Sequence, residues 1–486
     1  MNHQQQQQQQ QTPHIILLAS PGVGHITPLV SLAKLLVSRH HFSVTITVPS
    51  NSTSPSPTEL SILNSLPTSI SSIVLPPVAL HGLPADAQVE TLIWETMSRS
   101  LPALRDVFAT LSTTHSIAAL VVDLFGTDAL ILGNEFNALP FIFHPTNATT
   151  LSLFFHLPDL HRAYSLEYRD LTDPVTLPGC PPFLGTDLVD PMQDRTNDSY
   201  KWLLHMARGY MLAKGVLVNT FYELESQVIE ALIEENLGTP PLYPIGPITQ
   251  TDDSHLHNND CLGWLDKQPE ESVLYISFGS GGTLSCEQIF ELAYGLEQSG
   301  QRFLWVLRSP NNEVANASFF GENVDKVDYK DPLSFLPKGF LERTNGLGLV
   351  VRSWAPQIEV LSHGSTGGFM SHCGWNSTLE SVCKGVPFIA WPLYAEQRMN
   401  GRLLGDVWGV ALRVKIGENG MVGRDEIGRI VRSLMEGVEG KRVRDRVREL
   451  KSKAALALRE DGSSSKALEE VAIQWRKHVG NNLVQV

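Results

Sequence analysis

The chain has 486 residues, 42% hydrophobic and 18% charged, which is enough for two or three globular domains with full cores. Its formal net charge of −14 disfavours nucleic acid and anionic membranes as partners. The five cysteines contain no C-x-x-C pair, which argues against a disulfide framework or a zinc site and favours a reducing compartment.

The chain opens with a run of eight glutamines at 4–11, and we expect residues 1–12 to be a disordered tail rather than a signal peptide. No apolar run approaches the ~18 residues that a membrane span needs. We therefore expect a cytoplasmic protein without integral membrane contact. Nothing in the sequence calls for a second subunit, so the expected state is a monomer.

Short apolar runs alternate with helix-like stretches, a pattern typical of βαβ units with buried parallel strands. In the first helix-like stretch, Leu29, Leu32, Ala33 and Leu36 share one face. The sequence predicts an α/β fold of two Rossmann-like, doubly wound domains facing across a cleft, with ligands at the carboxyl ends of the strands. The predicted strands are 14–19, 43–48, 118–123, 140–144 and 215–220, then 272–280, 303–308, 348–354, 367–372 and 387–392.

Two segments without periodicity interrupt this alternation. Residues 243–260 are rich in Pro, Gly, Asp, Asn and His, which is typical of a linker between domains. Residues 308–335 resemble a long surface insertion in the second half. We therefore divide the chain into domains at 13–250 and 251–465, followed by a last helix at 466–486.

The first strand runs into a glycine-containing turn, "SPGVGH" at 20–25, which begins like a dinucleotide-binding loop. Thr27 stands where the fingerprint has its last glycine, and no acidic residue follows the second strand to bind a ribose. Both departures disfavour the interpretation of this chain as an NAD(P)-dependent oxidoreductase. A serine hydrolase is also disfavoured, because Phe278 replaces the first glycine of the G-x-S-x-G pattern around Ser280.

His25 and Asp123 are the candidate catalytic residues. His25 lies in the first turn of a helix, and Asp123 ends another predicted strand, so both should reach the same sheet edge. The helix N-terminus should keep the imidazole neutral, and a carboxylate on one ring nitrogen would fix its tautomer. The pair would form a general base with an orienting acid. The alternatives are a locally packed histidine and an aspartate that caps the following turn.

The stretch "WAPQIEVLSHGSTGGFMSHCGWNSTLESVCKGVPFIAWPLYAEQ" at 354–397 resembles the signature of plant family 1 UDP-glycosyltransferases, also called secondary-product glycosyltransferases. The similarity covers nearly the whole chain after the glutamine tail. "SPGVGHITPLV", "LVVDLFGTDA" and "YISFGSGGTL" are similar to the hydroquinone (arbutin-forming) glucosyltransferase branch.

This resemblance implies a GT-B fold. The first domain would bind the acceptor, the second would bind the UDP-sugar, and the C-terminal helix would pack back on the first domain. The implied activity is an inverting, metal-independent transfer of glucose from UDP-glucose, a co-substrate, with no cofactor. Acceptors would be hydroquinone-like phenols, indoxyl-like enols, monolignols or anilines. The alternative from another functional class is a non-catalytic nucleotide-sugar-binding protein on the same fold.

The resemblance also implies a donor site. Trp354 would stack on uracil, and Glu380 would bind both ribose hydroxyls. The N-terminus of the helix that follows the predicted strand at 367–372 would hold the diphosphate. Gln397 resembles glucose-using enzymes, whereas Glu396 stands where most of the family has aspartate. The implied donor residues are Trp354, Ala355, Gln357, His372, Trp375, Asn376, Ser377, Glu380, Glu396, Gln397, Ser280 and Thr146.

The acceptor side is implied by fewer residues. Phe125 would offer an aromatic contact beside Asp123, and Glu90 aligns with an acceptor-side acid of the phenol branch. Each assignment has a plain structural alternative. Trp354 could be a core tryptophan at a strand end, and Glu380 and Glu90 could be solvated helix acids.

Overall fold

The computed structural model describes residues 12–51, 55–84, 86–234, 238–250, 260–316 and 331–484. Most of the predicted glutamine tail lies outside these residues. So do 251–259 of the predicted linker and 317–330 of the predicted insertion. None of the helices in the described ranges is both long and apolar enough to cross a bilayer.

The first sheet is parallel and has the strand order β3-β2-β1-β4-β5-β6-β7 within the described residues. Its central strands are buried over their whole length because helices cover both faces, which explains their continuous apolar runs. The strands are β1 His14–Leu18, β2 Ser43–Val48, β3 Ile70–Val74, β4 Ile117–Asp123, β5 Leu139–His144, β6 Gly215–Val218 and β7 Leu242–Pro244.

The helices of the first half pack on the two faces of this sheet. The predicted apolar face of the first helix is fully buried, with Leu29, Leu32, Ala33 and Leu36 all 0% exposed. The helices are α1 Val23–His40, α2 Pro57–Asn64, α3 Val89–Arg99, α4 Leu101–Ser112, α5 Leu130–Glu135, α6 Ala148–Ala163, α7 Asp198–Gly209 and α8 Tyr222–Glu234.

The second sheet repeats the same architecture, with parallel strands in the order β10-β9-β8-β11-β12-β13 within the described residues. Its strands are β8 Val273–Ser277, β9 Arg302–Leu307, β10 Gly348–Arg352, β11 Thr366–Ser371, β12 Phe388–Ala390 and β13 Ala411–Arg413. Its helices are α9 Asp260–Leu265, α10 Cys286–Ser299, α11 Phe340–Arg343, α12 Gln357–Ser362, α13 Trp375–Lys384, α14 Gln397–Arg402, α15 Arg424–Glu436, α16 Val438–Ala457 and α17 Ser463–Val484.

Each sheet reverses its winding direction once, between β1 and β4 in the first and between β8 and β11 in the second. Ligands of doubly wound sheets bind in the crevice that forms at such a switch point. The predicted pair of two doubly wound α/β domains is confirmed. The candidate catalytic residues follow β1 and end β4. The candidate donor residues follow β8, β10, β11 and β12 in the second sheet and β5 in the first.

Three strands, β3, β7 and β13, were not predicted. All three are edge strands within the described residues. In β3, with the sequence ISSIV, two adjacent serines interrupt the apolar run, and three of the five residues are exposed. β7 overlaps the start of the segment predicted as a linker, which therefore begins as a strand of the first sheet. Asn219 reinforces this attachment by exchanging two hydrogen bonds with the Ile248 backbone.

The last helix, α17, returns to the first domain and packs against β4 and β7. Leu468, Val471, Ala472 and Trp475 from this helix share a buried apolar cluster with residues of the first sheet. The helix begins at Ser463, three residues before the predicted boundary at 466.

Candidate active site

His25 and Asp123 meet at the switch point of the first sheet. The His25 Nδ1 lies 3.1 Å and 3.2 Å from the two carboxylate oxygens of Asp123. Asp123 is fully buried, whereas the side chain of His25 is 15% exposed. In this arrangement the Nδ1–H of the neutral ring donates a hydrogen bond to the carboxylate, and Nε2 is the basic nitrogen.

A third residue, Ser20, belongs to this unit although the sequence analysis did not select it. Its hydroxyl donates to Oδ1 of Asp123 at 2.5 Å. Asp123 makes no capping hydrogen bond to the turn that follows it, so the alternative role as a helix cap is wrong. The serine and the histidine together hold the carboxylate in one orientation.

The protonation of His25 differs from the expectation based on the helix N-terminus. Burial lowers the pKa of His25, but the charge of Asp123, the hydrogen bond to it and the charge of Glu396 together raise this pKa above its ordinary value. The partial positive charge at a helix N-terminus shifts a pKa less than a buried carboxylate in direct contact does. The expected neutralising effect of the helix is therefore overridden.

Next to this pair lies a largely apolar cavity of about 790 Å³, part of it open to solvent. The ring of Phe125 stands edge-on to the His25 imidazole, with centroids 5.5 Å apart. Residues of both domains form the walls, so the cavity belongs to the interdomain cleft. Its lining includes His25, Glu90, Trp94, Phe125, Thr146, Phe154, Trp202, Met206, Tyr394 and Glu396.

Glu90 and Glu396 line this cavity, and Asp190 lies next to it, between the lining residues Val189 and Pro191 in the sequence. Burial raises the pKa of Glu90 to about 7, with further raising from the charges of Asp190 and Glu396. Burial also raises the pKa values of Asp190 and Glu396. Glu90 is therefore not a solvated helix acid. At neutral pH it can accept or donate a hydrogen bond to a polar group in the cavity.

The donor residues that follow β11 form a second cluster. His372 is 7% exposed, and burial with the nearby charge of Arg308 lowers its pKa to about 4. Its ring lies between two glycines. A Cβ on Gly279 would approach the ring to 2.5 Å, and one on Gly374 to 2.4 Å. Glycine is therefore required on both sides of this neutral imidazole.

Gln357 connects the residues assigned to the nucleoside. Its amide nitrogen donates to Glu380 Oε2 at 2.7 Å and to Ser377 Oγ at 3.0 Å. Glu380 is only 7% exposed, and burial raises its pKa to about 7. These contacts exclude Glu380 as a solvated helix acid, and they hold its carboxyl group at the first turns of α13.

Trp354 and Ser280 lie on the surface of the cleft, at the carboxyl ends of β10 and β8. The Trp354 side chain is 45% exposed, so it is not the core tryptophan that the sequence left open. Ser280 is also exposed, whereas Ala355 is 6% exposed. An exposed indole at this strand edge offers a flat face for a base to stack on.

Other donor candidates join the two domains. The indole N–H of Trp375 donates to the Asn219 carbonyl at 2.7 Å, so its buried ring serves the domain contact rather than a ligand. The Asn376 side chain donates to the Gly24 carbonyl at 2.9 Å.

Gln397 accepts from the Leu393 and Tyr394 amides through Oε1 and thereby braces the loop before α14.

Thr146 lies between the two clusters, where it lines the cavity. Its hydroxyl is buried and makes no hydrogen bond to another described residue. A polar atom of this kind normally has a partner in the functional state. The structure thus brings His25, Asp123, Phe125, Glu90, Thr146 and Glu396 to one cavity, with the remaining donor candidates along the adjoining strand ends.

Sequence reasoning missed Asp190 and Arg308 as well as Ser20. Asp190 lies in a segment without motif or periodicity, and its role depends on contacts with residues about two hundred positions later. Arg308 follows β9, and the position directly after a strand was the one signal that could have identified it. The aromatic walls of the cavity come from α3, α6 and α7, whose sequences carry no distinguishing pattern.

The chain is similar to known proteins over nearly its whole length. Residues 240–435 match the family UDP-glucoronosyl and UDP-glucosyl transferase. Hydroquinone glucosyltransferase of Rauvolfia serpentina is 54% identical, over 97% of this chain and 99% of the relative. UDP-glycosyltransferase 72B1 of Arabidopsis thaliana is 52% identical, over 96% of this chain and 97% of the relative.

Solved structures show the same fold. A UDP-glucosyltransferase from Polygonum tinctorium, capable of glucosylating indoxyl and bound to 3,4-dichloroaniline, has a TM-score of 0.88 at 50% identity, over 96% of this chain and 99% of that one. UGT2 of Phytolacca americana, bound to UDP-2fluoro-glucose and pterostilbene, has a TM-score of 0.87 at 46% identity, with the same coverage. The chain belongs to the UDP-glycosyltransferase family of enzymes.

Proposed function

We propose that this enzyme transfers glucose from UDP-glucose to the hydroxyl group of a small phenol or related aromatic compound, with inversion to a β-glucoside. The observation that carries the proposal is the contact between His25 and buried Asp123 at the wall of a largely apolar cavity. The relatives named for hydroquinone and indoxyl support aromatic acceptors, and the complex with UDP-2fluoro-glucose supports a glucose donor.

His25 acts as the general base of a single displacement. Its Nε2 takes the proton of the phenol while the phenolic oxygen forms a bond to the anomeric carbon. The bond from that carbon to UDP breaks at the same time, and the electron pair leaves with the diphosphate. A phenol has a pKa near ~10, so its proton is less costly to remove than that of an alcohol. The raised pKa of His25 reduces the difference further.

The negative charge that develops on the diphosphate is met by fixed donors. The N-terminus of α13 presents backbone N–H groups, and Asn376 and Ser377 lie in its first turn. Because the pKa of His372 is about 4, its ring is neutral at pH 7 and can still donate one hydrogen bond. Preorganised donors of this kind stabilise the leaving group without reorganisation.

The rest of the donor is held along the strand ends of the second domain. Trp354 stacks on the uracil, with Ala355 and Gln357 at the base edge and Glu380 on the ribose hydroxyls. Ser280 contacts the phosphates, and Trp375 contributes its backbone. The sugar hydroxyls contact Glu396, Gln397 and Thr146, whose buried hydroxyl is available for such a bond.

The acceptor occupies the cavity beside His25. Phe125 and the other aromatic walls contact its ring, and Glu90 binds a second polar group at the far end. The five cysteines form no disulfide, which suits a reducing compartment such as the cytoplasm. We further propose that the enzyme acts as a monomer.

The test is the His25→Ala variant, assayed with UDP-glucose and a panel of phenols, anilines and indoxyl-like enols. Loss of the base should lower phenol transfer on the order of 10²–10⁴-fold, while the Kd for UDP-glucose stays within about twofold of the original value. His363→Ala is the matched control, since His363 pairs with Asp266 at 3.1 Å in the second domain and does not line the cavity. Undiminished transfer by His25→Ala would remove His25 from this role.

A further inference from the structure

Two buried asparagines connect the acceptor domain to the sugar-facing carboxylate of the donor domain. Asn147 precedes α6 in the first domain, and Asn400 lies on α14 in the second. Both side chains are 0% exposed. The amide nitrogen of Asn147 donates to Oδ1 of Asn400 at 2.7 Å. Neither residue belongs to the set that the family signature assigns to the donor or acceptor.

The orientation of the first amide is dictated by the helix that it caps. The Asn147 Oδ1 accepts from the Thr150 backbone N–H at 2.8 Å and from the Thr150 hydroxyl at 3.0 Å. Only the oxygen of an amide can accept from a helix N-terminus. The nitrogen of Asn147 must therefore point to the second domain, where it meets an acceptor.

This orientation determines that of the second amide. Because Oδ1 of Asn400 receives the bond from Asn147, Nδ2 points the other way. It donates to the Cys373 carbonyl at 2.9 Å and to Oε1 of Glu396 at 3.1 Å. Rotating the amide by half a turn would place its oxygen against the Cys373 carbonyl and Glu396 Oε1, and its NH2 group against that of Asn147. Such contacts are costly in a buried site.

The two amides thus form a directional chain that ends on a carboxylate. We propose that Asn147 and Asn400 are positioning residues that fix the Glu396 carboxyl group where it binds the hydroxyls of the donor sugar. The inference rests on the proposed function, because Glu396 has this role only if the sugar is bound there. Burial of Glu396 favours its neutral form, and the Asn400 N–H opposes that effect.

The hydrogen bonds from Asn147 through Asn400 to Glu396 also couple sugar binding to the docking of the two domains. Cys373 follows His372 and has a positive φ of 66°, so the Asn400 bond to its carbonyl holds the backbone directly after the diphosphate histidine. Asn147 supplies its bond from the other domain. The sugar carboxylate is therefore held in its working orientation only when the acceptor domain is in place.

The decisive variant is Asn147→Asp. A carboxylate still caps α6 and suits a helix N-terminus, although the buried Glu225 carboxylate already accepts from the neighbouring Ala148 and Thr149 N–H groups. Its second oxygen, however, faces Oδ1 of Asn400 and turns that amide over, which directs an oxygen at Glu396. Asn147→Ser provides a second variant, since serine also caps a helix but is too short to reach Asn400 and adds no charge.

Both variants are compared with Asn419→Asp, which makes the same exchange at an exposed turn where only the side-chain oxygen is used. We expect kcat/KM for UDP-glucose to fall about 10²-fold in Asn147→Asp and less in Asn147→Ser, as misplacement of a binding group does. The Kd for UDP alone, which lacks the sugar, should stay within about twofold, and Asn419→Asp should behave as the unaltered enzyme.

Two results would overturn the positioning role alone. One is an unchanged kcat/KM in both Asn147 variants while the unaltered enzyme transfers glucose, which would refute the positioning role and leave the proposed function intact. The other is a loss of UDP affinity as large as the loss of kcat/KM, which would show general damage to the donor domain. Absence of transfer by the unaltered enzyme with any UDP-sugar would instead refute the proposed function, and the positioning role with it.

Discussion

The environment of His25 shows how neighbours outweigh burial at a single residue. Burial alone would lower the pKa of this histidine, yet Asp123 and Glu396 raise it. Asp123 can do so because it is fully buried, so that its charge is screened by little water. A base with a raised pKa removes a phenolic proton more readily, but it is also protonated at a higher pH.

We predict that Asp123→Asn moves the acid limb of the kcat/KM profile to lower pH. In the unaltered enzyme, activity falls as the pH decreases through the raised pKa of His25, because the base becomes protonated. Asp123→Asn removes a charge that opposes the effect of burial, so the pKa of His25 falls. The rate at neutral pH should also decrease by about 10²–10⁴-fold, since the amide no longer fixes the tautomer.

The measurement is a pH series of initial rates at saturating and limiting acceptor. Asp128→Asn is the matched control, because Asp128 follows in the same turn and pairs with the exposed His205. An acid limb that stays in place in Asp123→Asn would show that a group other than His25 controls the profile.

At this scale the sequence identified residues that lie in motifs and missed those that act through distant contacts. His25, Asp123 and the 354–397 box follow strand ends or match a family signature, so their position in the chain reveals them. Asp190 and Asn400 have no such pattern, and Ser20, although it directly follows the first predicted strand, acts only through Asp123. Their roles come from partners that only folding brings near, such as Asp190 beside Ala395.

At the scale of elements, burial explains which strands the sequence could predict. Central strands such as β1 and β4 are covered on both faces and read as continuous apolar runs. β3 and β13 lie near sheet edges with exposed positions, and β7 has three residues, so none of them forms a long apolar run. The helix α17 could be predicted as a helix, whereas the residues it contacts could not.

Trp475 makes the packing of α17 testable. Its side chain is 0% exposed, and its ring stands edge-on to Phe42 at 5.7 Å and to Phe141 at 5.3 Å. We predict that Trp475→Ala lowers the free energy of unfolding of the first domain by about 3–5 kcal/mol, through lost burial and the cavity that remains.

Urea denaturation followed by intrinsic fluorescence measures this change. Ile473→Ala is the control on the same helix, since Ile473 is 40% exposed and its truncation should cost within about 0.5 kcal/mol. Equal effects of the two substitutions would contradict the docking of α17 on the first sheet.

At the scale of the whole molecule, polar contacts between the domains close the cavity on one side. Asp190 pairs with Arg398 and accepts from the Ala395 N–H at 2.7 Å, and its own N–H donates to the Ala395 carbonyl at 3.1 Å. Arg402 pairs with Asp187 at 3.0 Å. These contacts hold a loop of the first domain against the loop that carries Glu396, so both substrates depend on the relative placement of the domains.

We predict that Arg398→Met raises the KM for the acceptor about tenfold, equivalent to ~1.4 kcal/mol, and leaves the Kd for UDP within about twofold. Methionine keeps the apolar stem but leaves the partly buried Asp190 without its cation. The pKa of Asp190, already raised by burial, should then rise further, because Arg398 lowers it in the unaltered enzyme. The defect should therefore ease as the pH falls and Asp190 becomes neutral.

Arg429→Met, which removes an exposed pair within α15, should change neither constant. Steady-state kinetics across pH and calorimetric titration with UDP would decide, and an equal loss of UDP affinity would show that Arg398 supports the donor domain itself rather than its contact with the acceptor domain.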